Sequence, residues 1–359
     1  MTTKARVIAF YLPQYHPIPE NDEWWGKGFT EWTNVGKAKP LFKGHYQPRV
    51  PADLGYYDLR VAETRKAQAD MAREYGIEGF CYWHYWFGNS KRLIERPFNE
   101  VLASGEPDFP FCLAWANETW KGFAHGMTNR NVLIEQFYPG VDDYIAHFYE
   151  VLPAFKDKRY ITVDGKPLFA IYKPLENKEL IVFIETWRKL AKENGLIDIY
   201  FVGHTIELDK IDTILNSGYD AVNIIRLHNY YLHGRSFLKK ARQKINKILF
   251  STPKIFLYKD AMKYFNGKED EMENVFPAIF PNWDHSPRSK NEATILHDSN
   301  PDLFREHVLK TIKSVENKED QKKIIFLKSW NEWAEGNHME PDLKFGLEYL
   351  EAFRDIIRK

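Results

Sequence analysis

The 359-residue chain lacks the features that mark several common classes of protein. It has 2 cysteines, Cys81 and Cys112, each inside an apolar run, so we expect two buried free thiols and no disulfide framework. Its 50 basic and 50 acidic residues balance, so no excess charge favours nucleic acid as a partner. No apolar run approaches the roughly 18 residues that span a bilayer, and residues 7–12 form too short a run for a signal peptide. We therefore expect a cytoplasmic protein.

Motifs that bind cofactors or metals are also absent from the sequence. There is no Asp-x-Asp, no Gly-Lys-Ser/Thr phosphate loop, no His-Glu-x-x-His and no Gly-x-Ser-x-Gly. The segment Gly26-Lys27-Gly28 lacks the third glycine of a dinucleotide loop, and the scattered histidines show no zinc spacing. We expect the protein to use neither a cofactor nor a metal ion. We expect carboxylates and imidazoles to carry out its acid-base chemistry.

Aromatic residues, by contrast, are abundant. The chain has 11 Trp, 20 Tyr and 25 Phe, more Trp and Tyr than a core needs, within a composition that is 44% apolar. This composition predicts a globular protein that uses flat, amphipathic surfaces for binding.

Short apolar runs recur along the chain with helical patterns between them. The runs are nearly continuous in Val, Ile, Phe, Tyr and Leu, as is typical of parallel strands buried on both faces. Strand and helix alternate about eight times, which predicts one (β/α)8 TIM barrel over residues 1–359 as a single catalytic domain. The eight runs are 7–12, 77–83, 109–116, 168–173, 199–204, 221–227, 275–281 and 324–330.

Several helix ends are recognisable in the sequence. Asp58 is a candidate cap for a helix that stops at Gly76, and Asn300-Pro301 begins another. We expect a further helix to stop before Pro153.

Three long excursions, 13–52, 117–140 and 228–274, each follow a predicted strand. In a TIM barrel this places them over the C-terminal face, where active sites lie. The third contains a basic segment, 235–263, with nine Lys or Arg residues and one acid, Asp260. Its simplest interpretation is a solvated helical face that docks on the barrel; the alternative is a peripheral contact with phosphate groups or an anionic membrane surface.

The densest group of reactive side chains follows the eighth run, where Trp330-Asn331-Glu332-Trp333-Ala334-Glu335-Gly336 occurs. If this segment turns helically, Glu332 and Glu335 point the same way, about 5 to 6 Å apart at their Cβ atoms. One of two such close carboxyls has a raised pKa, which provides the acid and the base that glycosidic cleavage requires. The alternative is that both are surface residues capping the last helix.

Four other runs end in aromatic and polar residues that suit sugars, because rings stack on sugar C–H faces while polar groups bind hydroxyls. With the last run they predict a substrate-binding set, in which Glu118 is a third catalytic candidate. The predicted set is Tyr11, Gln14, His16, Glu31, Trp32, Trp83, His84, Trp115, Asn117, Trp283, Asp284, Arg288, Trp330, Asn331 and Trp333.

Five of these motifs, in this order, resemble the WbsX-type proteins of bacterial polysaccharide gene clusters, which are often labelled glycosyltransferases and are similar to glycoside hydrolase family 99. The motifs are Ala9-Phe10-Tyr11-Leu12-Pro13-Gln14-Tyr15-His16, Gly28-Phe29-Thr30-Glu31-Trp32, Trp115-Ala116-Asn117-Glu118, Asn282-Trp283-Asp284 with Pro287-Arg288, and the segment 330–336. The resemblance implies a TIM barrel enzyme whose reaction retains the anomeric configuration of the sugar. It also implies that Glu332 is the base for the sugar 2-hydroxyl and Glu335 is the acid.

The chain departs from the hydrolases at Ala334, where they usually have His, and Glu31 and Glu118 belong to the WbsX-type pattern. A rival mechanism makes Glu118 the proton donor and Glu332 a covalent nucleophile. We expect a carbohydrate-active enzyme that cleaves or transfers a glycosyl unit of a bacterial polysaccharide. The alternatives are a glycosyltransferase of O-antigen, lipopolysaccharide or capsule biosynthesis, and an inactive glycan-binding barrel.

Overall fold

The computed structural model describes residues 3–122, 131–234 and 252–358. Eight parallel strands form a barrel, and each predicted apolar run overlaps one of them. The strands are β1 (Arg6–Tyr11), β2 (Gly79–His84), β3 (Phe111–Trp115), β4 (Lys166–Ile171), β5 (Tyr200–Thr205), β6 (Ala221–Ile224), β7 (Val275–Ile279) and β8 (Ile324–Leu327).

The barrel closes because each strand pairs with its neighbours in chain order and β8 pairs with β1. Arg6 lies opposite Ile324 in that closing pair, and Leu113 of β3 lies opposite Phe169 of β4. All eight pairings are parallel, so both faces of the sheet must be covered. The predicted TIM barrel fold is confirmed.

Helices cover the outside of the barrel and its C-terminal mouth. The longer ones are Ala62–Glu74, Arg96–Ser104, Val141–Phe155, Glu179–Glu193, Pro301–Val315 and Glu348–Ile357. Shorter helices are Pro19–Trp25, Glu31–Lys37, Ile211–Asn216, Asn229–His233, Tyr258–Ala261 and Ser286–Ser289. In the part of the chain that the structure describes, no helix is both long and apolar enough to cross a membrane.

Helix ends agree with the sequence at Gly76 and Asn300 and differ at Asp58 and Pro153. Asn300 caps the helix Pro301–Val315, since its side chain accepts a hydrogen bond from Leu303 N at 3.0 Å. Asp58 instead closes a turn before the next helix, where its carboxylate accepts from the backbone and guanidinium of Arg60. Pro153 lies in the last turn of Val141–Phe155, where the missing N–H removes only one hydrogen bond.

Successive strand residues point to opposite sides of the barrel wall. Phe10 of β1 faces the interior, where its ring stacks on Trp83 at 4.7 Å and on Phe326 at 5.1 Å. Its neighbour Tyr11 faces outward and donates a hydrogen bond to Gln68 on a surrounding helix at 2.6 Å. This alternation decides which predicted site residues enter the barrel mouth.

Two small sheets lie outside the barrel. Trp120–Lys121 pairs with Val132–Ile134 in the excursion 117–140, and Lys254–Leu257 pairs with Thr294–His297. Most of the basic segment 235–263, namely 235–251, lies outside the described residues, so its two interpretations stay predictions.

Candidate active site

The segment after β8 turns helically, as its sequence predicts. Trp333–Glu335 forms a short 3₁₀-helix that follows Glu332 and ends at Gly336. Gly336 has φ 64°, and a Cβ there would lie 2.8 Å from the Cβ of Asp284, so both conformation and space require glycine. This tight turn brings the carboxyls of Glu332 and Glu335 into one pocket.

That pocket lies at the C-terminal mouth of the barrel and has a volume of about 560 Å³ including its open entrance. Side chains from the segments after β1, β2, β3, β4, β7 and β8 line it. They are Leu12, Gln14, Trp83, Tyr85, Ala116, Glu118, Trp120, Tyr172, Arg288, Lys328, Glu332 and Glu335.

Glu332 is almost completely buried in the pocket wall. Trp83 Nε1 donates to its Oε1 at 2.7 Å, and Lys328 Nζ donates to its Oε2 at 2.9 Å. Burial raises the pKa of Glu332, and the neighbouring Glu335 raises it further, against the opposing effect of Lys328. Glu332 therefore tends to hold a proton.

Glu335 lies between two cations. Arg288 Nη1 donates to its Oε1 at 2.7 Å, and Lys328 Nζ lies 3.6 Å from its Oε2. Burial alone would raise the pKa of Glu335, but Lys328 and Arg288 outweigh burial and hold the pKa below its ordinary value. The second contact of Arg288, Nε to Glu31 Oε1 at 2.9 Å, adds a third carboxylate.

The formal charges of this cluster favour one bound proton. Glu31, Glu332 and Glu335 supply three carboxyls, whereas Arg288 and Lys328 supply two cations. His285 lies 3.9 Å from Glu335, but burial and Arg288 lower its pKa to about 3, so it adds no charge. Buried charges need partners, so one proton shared by the two neighbouring glutamates balances the cluster.

Glu118 lies in the same pocket but in a different environment. Its side chain is 36% exposed and pairs with Lys173 at 3.1 Å. Its neighbour Asn117 is buried, and the Asn117 amide donates to Lys173 O at 2.9 Å and accepts from Lys173 N at 2.8 Å. Asn117 therefore links the loops after β3 and β4 rather than lining the pocket.

Asn331 has the equivalent role beside Glu332. Its side chain donates to Leu12 O at 3.0 Å and accepts from Leu12 N at 2.7 Å, which links the loops after β8 and β1. The Tyr15 hydroxyl donates to the Asn331 carbonyl. The backbone that carries the glutamate pair is thus held by buried hydrogen bonds.

Asp284 supports Glu335 from the other side. Its backbone N–H donates to Glu335 O at 2.7 Å, while its carboxylate accepts from His45 Nε2 at 2.9 Å and Gln47 Nε2 at 2.6 Å. Burial would raise the pKa of Asp284, but the hydrogen bond from His45 and nearby positive charge lower it to about 2. Asp284 positions the loop and does not line the pocket.

Several predicted aromatic residues pack behind the glutamates. Trp333 is buried, stacks on His338 at 3.7 Å, and donates to Glu340 Oε2 at 2.6 Å. Trp32 packs against Trp333 at 5.5 Å, and Trp330 packs against the barrel wall. Burial raises the pKa of Glu340 to about 7 although it accepts several hydrogen bonds.

Besides Tyr11, three predicted residues face away from the pocket because of strand alternation or loop direction. Trp115 donates to Trp86 O at 2.8 Å, and His16 is buried near Pro13. His84 points toward the helix Val141–Phe155, where its Nε2 lies 2.7 Å from Nε2 of His147. Trp283, by contrast, borders the pocket, with its ring centroid 5.6 Å from Lys328 Nζ.

The pair His84 and His147 predicts a pH dependence of stability. Burial lowers the pKa of both imidazoles well below the ordinary 6.5, so the unfolded chain binds more protons as the pH falls below about 6.5. Stability should therefore be lost as the pH falls through this range. The double variant His84→Phe/His147→Phe should flatten the slope of unfolding free energy between pH 5 and 6.5 by up to about 3 kcal/mol per pH unit.

Urea unfolding across this pH range checks the expectation. Phe98→Leu, a nearby core change without a titratable group, is the control and should lower stability without changing the slope. An unchanged slope in the double variant would show that the imidazoles titrate in the folded protein as they do in the unfolded chain.

Lys328, Tyr85, Trp120 and Tyr172 line the pocket but are not in the predicted set, although Tyr85 and Trp120 belong to the aromatic runs that follow the second and third predicted strands. Lys328 had a usable signal, because it is the only charged residue in the apolar run 324–330. Within the described ranges, no three His, Cys, Asp or Glu side chains converge as a metal site requires.

Comparisons with known proteins identify the family and the shared fold. The family model described as "Glycosyltransferase WbsX" matches residues 7–353. WxcX proteins from two strains of Xanthomonas campestris pv. campestris, B100 and ATCC 33913, are each 35% identical over 361 residues, covering all of this chain and 50% of theirs. The chain thus spans about half the length of these curated relatives.

Two solved structures share the fold. One, titled a glycoside hydrolase-like protein, has a TM-score of 0.62 at 16% identity, with 99% of this chain and 94% of that chain covered. The other, the GH99 endo-alpha-mannosidase of Bacteroides thetaiotaomicron, has a TM-score of 0.57 at 15% identity, with 98% and 96% covered. On the family match over nearly its whole length, the chain belongs to the glycosyltransferase WbsX family.

Proposed function

We propose that this protein is a carbohydrate-active enzyme that cleaves or transfers a glycosyl unit of a bacterial polysaccharide with retention of configuration. The observation that carries the proposal is that the carboxyls of Glu332 and Glu335, both in contact with Lys328, lie together in a pocket lined by aromatic rings. Acid and base in one site are what glycosidic cleavage needs, and Trp83, Tyr85 and Trp120 offer faces for a sugar. The fold shared with a GH99 endo-alpha-mannosidase supports the same class of substrate.

The proposed reaction has two steps. The Glu332 carboxylate takes the proton of the sugar 2-hydroxyl, O2 attacks C1, and the bond from C1 to the leaving oxygen breaks as Glu335 protonates that oxygen. Glu335 then takes a proton from water, which attacks C1 and opens the anhydro-sugar, while Glu332 returns its proton to O2. Both carboxyls end in their starting states.

This order requires the shared proton to be on Glu335 when the bond breaks. In the free protein the cations around Glu335 favour the proton on Glu332 instead. We propose that the arriving sugar moves the proton, because its 2-hydroxyl needs the Glu332 carboxylate as acceptor. The rival, with Glu118 as acid and Glu332 as nucleophile, needs a proton on a partly exposed carboxylate that pairs with Lys173.

A glycosyltransferase of O-antigen or capsule assembly is the second candidate, and the description of the matched family favours it. The carboxyl pair distinguishes the candidates, since transfer from a sugar nucleotide does not require an acid to protonate the phosphate leaving group. A barrel that only binds glycans would keep its affinity without turnover in any form.

Purified protein incubated with a panel of bacterial polysaccharides and sugar nucleotides tests the proposal. We expect new reducing ends from at least one polysaccharide, with the product anomer retained when followed by NMR, and no turnover by the double variant Glu332→Gln/Glu335→Gln. Turnover of a sugar nucleotide without any glycan cleavage would instead establish the transferase, and binding without turnover would establish the inactive barrel.

A further inference from the structure

Lys328 has an unusual position for a charged residue. It directly follows β8 and points into the barrel mouth, with a side chain that is only 13% exposed. Its Nζ lies 2.9 Å from Glu332 Oε2 and 3.6 Å from Glu335 Oε2, so one ammonium contacts both carboxyls. The rings of Trp83 and Trp283 flank it, with centroids at 5.8 and 5.6 Å.

The contacts of the two cations are unequal across the pair. Arg288 contacts Glu335 and Glu31 but not Glu332, whereas Lys328 contacts both members of the pair. Glu335 therefore meets two cations and Glu332 meets one. The shared proton costs less free energy on the carboxyl with fewer cationic partners, because protonation there gives up less attraction.

We propose that Lys328 is a positioning residue that sets the protonation of the Glu332 and Glu335 pair, and with it the pH range in which the pair can act as acid and base. This inference rests on the proposed function for its catalytic meaning, but its electrostatic content concerns the free protein. Lys328 acts through the carboxyls and is not assigned a contact with the reacting atoms.

Other polar groups face this cluster from every neighbouring element, but none contacts both carboxyls as Lys328 does. Among the described residues, the ionisable ones are Glu31, Tyr85, Glu118, Tyr172, His204, His228, His285 and Arg288. Burial lowers the pKa of the three histidines, so they are neutral near pH 7. Arg288 is thus the cation of this set, and it contacts Glu335 but not Glu332, whereas Lys328 contacts both glutamates.

Substitution of Lys328 separates this role from a purely structural one. Lys328→Met keeps the length of the side chain but removes the charge, and the pKa of both glutamates should then rise, by about 1 to 3 units. Lys328→Arg restores a cation and should return the titration toward that of the wild type. Lys318→Met is the matched control, because Lys318 is also buried but lies at the other end of the barrel, where it donates to Val275 O at 2.5 Å.

The titration is measured on the free protein by NMR of ¹³C-labelled glutamate carboxyls, with Glu332→Gln and Glu335→Gln assigning the two resonances. The expected result is an upward shift in Lys328→Met, its reversal in Lys328→Arg and no shift in Lys318→Met. Unchanged titration of both carboxyls in Lys328→Met would overturn the inference, whether or not any glycan is cleaved.

Where turnover is found, the rate gives a second readout. The acidic limb of the kcat profile should move to higher pH in Lys328→Met by the same amount as the carboxyl titration, with a smaller change in KM. A large rise in KM with an unmoved pH profile would overturn the inference and assign Lys328 to substrate binding. Absence of turnover in the wild type would refute the proposed function while leaving the carboxyl titration as the test of Lys328.

Discussion

Glu335→Gln is expected to lose turnover on natural glycan by about 10²- to 10⁴-fold, and Glu332→Gln by at least as much. The two variants should differ on an aryl glycoside of the cleaved sugar whose dinitrophenol leaving group needs no protonation. Loss of the acid then matters little in the first step, so Glu335→Gln should release dinitrophenol in a single turnover at nearly the wild-type rate. Glu332→Gln should stay slow, because the 2-hydroxyl still needs its base.

Glu118→Gln is the comparison that decides between mechanisms. It changes a carboxylate in the same pocket, yet it should lower turnover by less than about 10-fold if Glu118 only contacts substrate. If Glu118→Gln lost turnover on natural glycan but released dinitrophenol from the aryl glycoside at nearly the wild-type rate, Glu118 would be the acid. If Glu332→Gln, and not Glu335→Gln, recovered its rate on the aryl glycoside, Glu332 would be the acid. The carboxyl that holds the proton in the free protein would then also be the one that protonates the leaving oxygen.

The second large expected effect is a loss of stability when the ion pairs of Arg288 are removed. Its guanidinium is 10% exposed and joins Glu31, which is 2% exposed, to Glu335. Arg288→Met leaves two buried carboxylates without this partner, so unfolding free energy should fall by about 3 to 5 kcal/mol. Adding Glu31→Gln should recover part of that loss, since one uncompensated charge is removed.

Urea denaturation of the two single variants and the double variant gives the coupling between the residues. Arg305→Met provides the control, because Arg305 pairs with Asp355 at 3.2 Å on an exposed surface and should lose less than about 1 kcal/mol. Equal losses for Arg288→Met and Arg305→Met would show that the Arg288 cluster is solvated rather than buried.

The barrel could be predicted from sequence because each strand carries its own local signal. Residues 324–327, at the start of the run 324–330, are apolar on both faces, which parallel strands in a closed barrel require. Helix ends were harder to predict than strands. Asp58 has a side chain that can cap a helix, but Arg60, two residues later, is a stronger hydrogen-bond partner for it. Local chemistry suggests where a helix can begin, whereas side-chain competition decides where it does begin.

The candidate site was predictable in part. Glu332, Glu335 and Glu118 share a pocket because the carboxyl ends of barrel strands meet at one face. His84 and Tyr11 belong to equally dense polar runs, yet the alternation along each strand turns them outward. A continuous run of aromatic residues does not reveal which of its members face the barrel interior and which face outward. Lys328 could be noticed as an isolated charge, but its contact with both glutamates depends on the turn that follows β8.

The side-chain amides of Asn117 and Asn331 each make a pair of hydrogen bonds, and these pairs affect how a ligand enters. Each side chain satisfies both the N–H and the carbonyl of a residue in the neighbouring loop, so two adjacent loops share one buried connection. Loops joined in this way lose little conformational entropy on binding, because their order exists beforehand. A ligand at the described part of the barrel mouth would therefore meet a preformed rim and be selected by its fit to that rim, without loops folding around it.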